Sequence, residues 1–101
     1  MTTILALDSS SENCSVAVYH QQVISLNSEY APRKHTQLIL PIMKQELSNR
    51  ELALSDIDAI AFGCGPGSFT GIRIAAGVAQ GLAYGLDVPI YAISNLKAFA
   101  L

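Results

Sequence analysis

The apolar positions of this chain switch between strand and helix periods, and each switch marks an element. Thr3 to Leu7 is a short apolar run that stops at Asp8. Cys14 to Tyr19 is a second such run, and the polar stretch Ser9 to Asn13 lies between them. The two runs predict a hairpin. His20, Gln21 and Gln22 then make a tight connection to a third strand, Val23 to Glu29. There Val23, Ser25, Asn27 and Glu29 alternate with Ile24, Leu26 and Ser28, a mixed pattern that suits the edge of a sheet.

After Ala31-Pro32 the period lengthens. Thr36 is placed to cap a helix that carries Leu38, Ile39, Ile42, Met43 and Leu47 at helical spacing and reaches about Leu52. Pro41 conflicts with the simple version, because past the first turn a proline removes a needed N–H. The helix is therefore expected to bend there or to start nearer Leu40. Ser55 to Asp58 leads into a fourth strand, Ile57 to Phe62. A glycine-rich turn then opens a second helix, Phe69 to about Gly85. Val88 to Ile93 reads as a fifth strand, and Ser94 caps a third helix that has barely begun at Leu101. The order βββαβαβ(α) predicts an α/β layer fold, a mixed five-stranded sheet with helices packed on it.

The second helix is unusual in its circumference. At 100° per residue, Arg73, Gln80 and Tyr84 fall within about 40° of one another, and nearly everything else from Ile72 to Leu86 is aliphatic, alanine or glycine. A helix lying on one sheet needs one apolar face, so this one is expected to be covered on its outer side as well. Gly77, Gly81 and Gly85 recur every fourth residue and form a smooth ridge. The ridge would suit tight packing within the domain or a partner helix. The first helix also has more apolar positions than one seam requires, so the two helices together predict a joint partner surface.

Composition narrows the classes. Half of the 101 residues are apolar, which suits one compact domain, and the net charge of −2 gives no general attraction to nucleic acid or anionic lipid. Arg33, Lys34 and His35 form the one basic cluster, and direct RNA binding through it has little support from that balance. No apolar stretch approaches the roughly 20 residues of a membrane span, and Met1 to Leu7 lacks a basic lead-in, so a cytoplasmic location and no membrane partner are expected. Cys14 and Cys64 sit in apolar surroundings without ligand spacing and read as buried free thiols. His20 and His35 complete no metal set.

Two stretches carry candidate chemistry. The turn Gly63 to Gly71 contains Gly65-Pro-Gly67-Ser-Phe-Thr-Gly71, a variant of the dinucleotide-binding turn placed between a strand and a helix. It follows the fourth strand instead of the first, and the strand ending Ala92-Ile93-Ser94 has no acid for a ribose hydroxyl. No Lys-Ser or Lys-Thr follows the glycines, and Ser68 directly after Gly67 does not fit a nucleophile elbow. Ser68 and Thr70 read as helix-start residues. Asp8, Ser9 and Ser10 at the end of the first strand form the other candidate. With Gly65 and Gly67 they could hold a phosphate, or they could simply satisfy a hairpin. No second carboxylate or activated histidine completes a catalytic set.

The segments Ile4-Leu-Ala-Leu-Asp8-Ser-Ser, Pro32-Arg-Lys-His35-Thr-Gln37 with Leu40-Pro41, and Gly65-Pro-Gly-Ser-Phe-Thr-Gly-Ile-Arg73 together resemble the TsaB (YeaZ) family along the whole chain. The resemblance implies a ribonuclease-H-like lobe of the actin-like ATPase superfamily. Residues 1–101 would be its single N-terminal lobe, with the family's C-terminal lobe absent from this chain. It also implies a non-catalytic accessory subunit for threonylcarbamoyladenosine formation beside the tRNA anticodon. The implied partners are TsaD in a heterodimer, TsaE in a ternary complex and a second copy in a homodimer, with tRNA met only through the complex. No cofactor is expected in this chain itself, and ATP or ADP only in the complex. The TsaD-type metal pattern, two histidines separated by three residues, is missing from the sequence. Carried over, the family's docking surface falls on His35, Ile39, Ile42, Met43 and Glu46 in the first helix and on Gly71, Ile74, Ala75, Val78, Gly81 and Leu82 in the second. The rival reading is an ATP-binding or ATP-hydrolysing enzyme of the same superfamily, built on Asp8, Ser9, Ser10 and the glycine turn.

Overall fold

The computed structural model describes residues 2–8, 13–30, 35–63 and 69–93. Their strands are β1 (Ile4–Asp8), β2 (Asn13–His20), β3 (Val23–Tyr30), β4 (Ala59–Gly63) and β5 (Ile90–Ile93). The helices are α1 (His35–Asn49) and α2 (Phe69–Leu86), and a single 3-10 turn spans Leu54–Asp56. One sheet runs in the order β3-β2-β1-β4-β5. The β1–β2 and β2–β3 pairs are antiparallel, while β1–β4 and β4–β5 are parallel. This is the mixed five-stranded sheet expected from the element order.

Register decides what each face carries. Leu5 pairs with Val18 and Ile60, and Leu7 with Val16 and Phe62, so the large side chains of three strands stand on one face. They pack against Ile39, Ile42, Met43 and Leu47 of α1 and Ala79 and Ala83 of α2. The alternate positions Ala6, Ala17 and Ala61 are paired with one another and form a second, small-residue cluster with Ile93 on the opposite face.

Several boundaries differ from the sequence reading. α1 runs unbroken from His35 through Pro41 to Asn49, so Thr36 lies within it and Leu52 beyond it. Pro41 is exposed, which leaves the carbonyl of the lost bond on the wet side, where water can satisfy it. The fourth strand starts at Ala59 instead of Ile57. The residues before it form the 3-10 turn, held by the Ala53 N–H donating to Asp56 Oδ2 at 2.8 Å. The fifth strand starts at Ile90 instead of Val88 because α2 needs Asp87 and Val88 for its exit. The third helix expected from Ser94 lies outside the described residues.

Both helices end in the same way. Leu52 N–H donates to the Leu47 carbonyl at 2.9 Å and Val88 N–H to Ala83 at 3.0 Å, across Glu51 and Asp87, whose φ values are 56° and 57°. These are Schellman closures with an acidic residue where glycine is usual.

The β2–β3 connection is a two-residue turn in which Gln21 (φ 53°) and Gln22 (φ 65°) are both left-handed, the conformation that matches strand twist. Glycine or asparagine would adopt it with less strain. Arg50, just past α1, secures the turn from the helix side. Its Nη1 donates to the Val18 carbonyl (3.0 Å) and Ser25 Oγ (2.7 Å), and its Nη2 to the carbonyls of His20 (2.8 Å) and Val23 (3.2 Å). Beside this clamp, at the start of β1, the Thr3 carbonyl accepts from the Asp58 N–H (2.8 Å), the Thr3 N–H donates to Asp58 Oδ2 (2.8 Å), and the Thr3 hydroxyl bonds His20 Nδ1 at 2.8 Å. The start of β1 is thereby tied to the entry of β4 and the end of β2.

Arg50→Met keeps the aliphatic stem and removes the clamp. It is expected to cost about 2–3 kcal/mol in denaturant unfolding, because the guanidinium bonds are charge-assisted. Amide exchange at Gln21 and Gln22 should accelerate before that at Leu5 or Leu7.

Candidate functional site

The outer face of α2 is the most distinctive surface of the described structure. Arg73, Gly77, Gln80, Gly81, Tyr84 and Gly85 are exposed, while Ala75, Ala79 and Ala83 face the sheet. Alanines on the inner side bring the helix close to β4 and β1, and glycines on the outer side leave its backbone open. At Gly77, Gly81 and Gly85 no described atom beyond the helix's own backbone lies within 4 Å of where a Cβ would stand. Among the described residues the ridge therefore plays no part in packing. Tyr84 is 91% exposed on the same side. Beside it Gln80, Ala83, Asp87, Val88 and Ile90 line a shallow groove of about 650 Å³. An exposed aromatic above a groove, flanked by bare helix backbone, is suited to close packing by another helix.

The docking surface carried over in the sequence analysis needs correction residue by residue. Ile39, Ile42, Met43 and Glu46 in α1 and Ala75 in α2 are buried inside the lobe. Their helical stripes face this chain's own sheet, so a partner cannot reach them without opening the fold. Ile74, Val78 and Leu82 are half-buried flanks, and Gly81 is exposed. The side chains of His35 and Gly71 lie outside the described set. Among the described side chains of α1 the exposed ones are Leu40, Pro41, Lys44, Gln45, Ser48 and Asn49. Gly77, Gly85 and Tyr84, left out of the carried-over set, form the open part of the face. The four-residue glycine repeat was the sequence signal for two of them.

The second candidate site lies at the carboxyl ends of the parallel strands β1 and β4. Asp8 ends β1 and Gly63 ends β4, and a Cβ on Gly63 would stand 2.8 Å from Asp8 Cγ and 2.9 Å from Oδ2. Any larger residue there would push the Asp8 carboxylate out of its place. Ser9, Ser10, Gly65 and Gly67, the rest of that constellation, lie outside the described residues. Carboxyl ends of parallel strands are where open α/β sheets present ligand sites. Nearby, Cys14 is a free, buried thiol. Burial, with smaller contributions from Glu29 and Asp8, pushes its pKa up to about 11, so it stays protonated and unreactive at neutral pH. Among the described residues no cluster of metal ligands forms, and no helix is long and apolar enough to cross a membrane.

Residues 13–101 match the family model of TsaD, tRNA N6-adenosine threonylcarbamoyltransferase. The chain belongs to that family. Within it the chain groups with the proteins called TsaB or YeaZ. It is 53% identical over 98 residues to the tRNA threonylcarbamoyladenosine biosynthesis protein TsaB of Haemophilus influenzae, covering 97% of this chain and 42% of that protein. To TsaB of Escherichia coli it is 46% identical over 97 residues, covering 96% and 42%. The solved structure of YeaZ from Pseudomonas aeruginosa superposes with a TM-score of 0.90 at 52% identity, over 95% of this chain and 45% of that one. The chain thus spans less than half the length of the relatives it matches. The sheet order and this superposition make the fold the ribonuclease-H-like, actin-like lobe expected from the motifs.

Gly63→Ala should cost about 1–3 kcal/mol through the forced contact with Asp8, and Asp8→Ala in the same chain should recover most of that loss in a double-mutant cycle of unfolding free energies. The Cys14 thiol has a sign that can be checked. Its folded pKa lies above the ordinary 9.0, so its contribution to stability is complete below pH 9 and disappears as pH rises toward 11. In Cys14→Ala the decline in stability over that window should be shallower.

Proposed function

We propose that the protein is a non-catalytic subunit of tRNA threonylcarbamoyladenosine formation that docks through the outer face of α2 onto a catalytic partner of its own fold, TsaD. One observation carries this reading. Three glycines in an exposed helix each cost about 0.5–1 kcal/mol relative to alanine, and among the described residues nothing packs against them in return. Their smooth backbone has a use only when another surface lies on it. The names of the relatives, biosynthesis proteins of this modification, support the pathway, and the TsaD family match supports a partner of related shape. The net charge of −2 favours tRNA contact through the complex over direct binding by this subunit. The same face would also serve a homodimer, so the catalytic partner would compete with a second copy. TsaE would join the pair as a third component.

Asp8 packed on Gly63 at the carboxyl ends of β1 and β4 favours one second reading, nucleotide binding at the strand ends. Titration of Mg-ATP into the full-length protein, alone and with TsaD, separates the two. Binding by the isolated subunit that Asp8→Ala abolishes would favour an ATP-dependent enzyme.

The docking reading is tested by Gly81→Arg in the full-length protein. The site is open, so the fold should be retained and the helix slightly stabilised, while affinity for TsaD in calorimetry should fall at least about tenfold, or about 1.4 kcal/mol. Undiminished affinity would overturn it. Replacing Gly77, Gly81 and Gly85 together by alanine should raise unfolding stability by about 1.5–3 kcal/mol.

A further inference from the structure

The edge strand β3 is built as though for pairing. It runs eight residues, Val23–Tyr30, in unbroken register with β2, and it contains no proline and one charged residue, Glu29. Edge strands are normally protected by charges, prolines or bulges, and β3 has little of this. Leu26 is 61% exposed and Tyr30 70%, with Ile24 beside them on the face away from the helices. The two-residue turn makes His20 and Val23 a hydrogen-bonded pair, so the alternation continues with Ser25, Asn27 and Glu29 bonded inward to β2. The N–H and C=O groups of Ile24, Leu26, Ser28 and Tyr30 therefore point to the open edge. Arg50 holds Ser25 and Val23 from behind, so the strand is ordered before any partner arrives.

We propose that two copies of this protein associate by antiparallel pairing of their β3 strands, with Asn27 at the two-fold axis. Every antiparallel register of a strand with its own copy is two-fold symmetric, and this one brings complementary groups together on both faces. On the face away from the helices it sets Ile24 opposite Tyr30 of the second copy, so that these two exposed apolar residues cover one another, and Leu26 opposite Ser28. On the helix face it sets Glu29 opposite Ser25 of the second copy, whose hydroxyl is 2.7 Å from Arg50 Nη1. Among the described residues the partners of the Arg50 guanidinium are all neutral oxygens, so the carboxylate of the second copy meets a cation that is not paired with an acid there. The two Glu29 side chains remain apart. An unrelated extended peptide would gain the backbone bonds without this reciprocal charge match. The pairing leaves the outer face of α2 free, so it is compatible with docking there and does not depend on it.

The test is sedimentation equilibrium of the full-length protein in a Gly81→Arg background, which removes association through α2. A dimer is expected to remain. Ser28→Pro removes an N–H that β2 does not use, and should raise the dimer dissociation constant at least about tenfold. Glu29→Lys, facing Arg50 of the second copy, should raise it several-fold and reverse its dependence on salt. Circular dichroism verifies that each variant is folded. If Ser28→Pro is not, Leu26→Lys, on an exposed side chain, takes its place. Asn27→Cys should cross-link to a dimer on mild oxidation, since Cα atoms opposed at such a pair lie about 4.5 Å apart, within disulfide reach. A protein that is monomeric throughout the concentration series, a dimer that none of these edge substitutions weakens, or an Asn27→Cys variant that fails to cross-link would overturn the proposal.

Discussion

The structure rests on the placement of β1 between two strands of opposite sense. It pairs antiparallel with β2 on one side and parallel with β4 on the other, and Leu5, Ala6 and Leu7 are all fully buried, so neither of its faces meets solvent. A strand in that position must distribute side-chain volume between two layers. Here Leu5 and Leu7 go to one and Ala6 to the other, and β2 and β4 repeat the division with Val16, Val18 and Ile60 against Ala17 and Ala61. The thick layer takes α1 and α2. A shift of one residue in register would exchange the two sets and leave the helices facing alanines, so pairing and packing enforce each other.

The surfaces that remain follow from this division. Because α2 faces the sheet with alanines, it lies close enough for β4 and β1 to fix it, and its glycines are left outside. Because β1 and β4 run parallel, their carboxyl ends meet at Asp8 and Gly63, where a polar group stands over bare backbone. Because β3 is the third strand of a meander that goes no further, its outer edge is open. Helix face, strand ends and sheet edge are spatially separate, and each is made of a different material: small residues, a carboxylate and unpaired peptide groups.

Much of the fold was legible in the sequence. The apolar runs at Leu5 and Val16 and the alternation after Val23 put the first three strands within a residue or two of their observed bounds. The glycines before Phe69 put the start of α2 where it is. Pro41 misled because the local rule assumes that a missing N–H must be replaced by protein, whereas at an exposed position water can do so. The α1 docking residues were carried over from the family resemblance by sequence position, which does not say which side of the helix meets this chain's own sheet. Ile39, Ile42, Met43 and Glu46 lie on that inner side and are buried. Arg50 was missed because its partners Val18, His20, Val23 and Ser25 are brought to it only by the fold. The sequence reading joined Asp8 to the glycine turn through Gly65 and Gly67, but not to Gly63, which only the parallel pairing of β1 and β4 brings under its carboxylate.

The exits of the two helices bear on how this lobe could evolve. Glu51 and Asp87 occupy backbone conformations that glycine would adopt with less strain, and both place negative charge at the end of a helix whose exposed carbonyls already repel it. Glu51 belongs to none of the sheet edge, the strand ends and the α2 face, whereas Asp87 lines the groove beside Tyr84. Glu51 is therefore a thermal reserve: a substitution there could raise the working temperature of the lobe while all three surfaces stay as they are. A lineage moving to a hotter habitat would have this cheap step available before it had to alter its core or its docking groove.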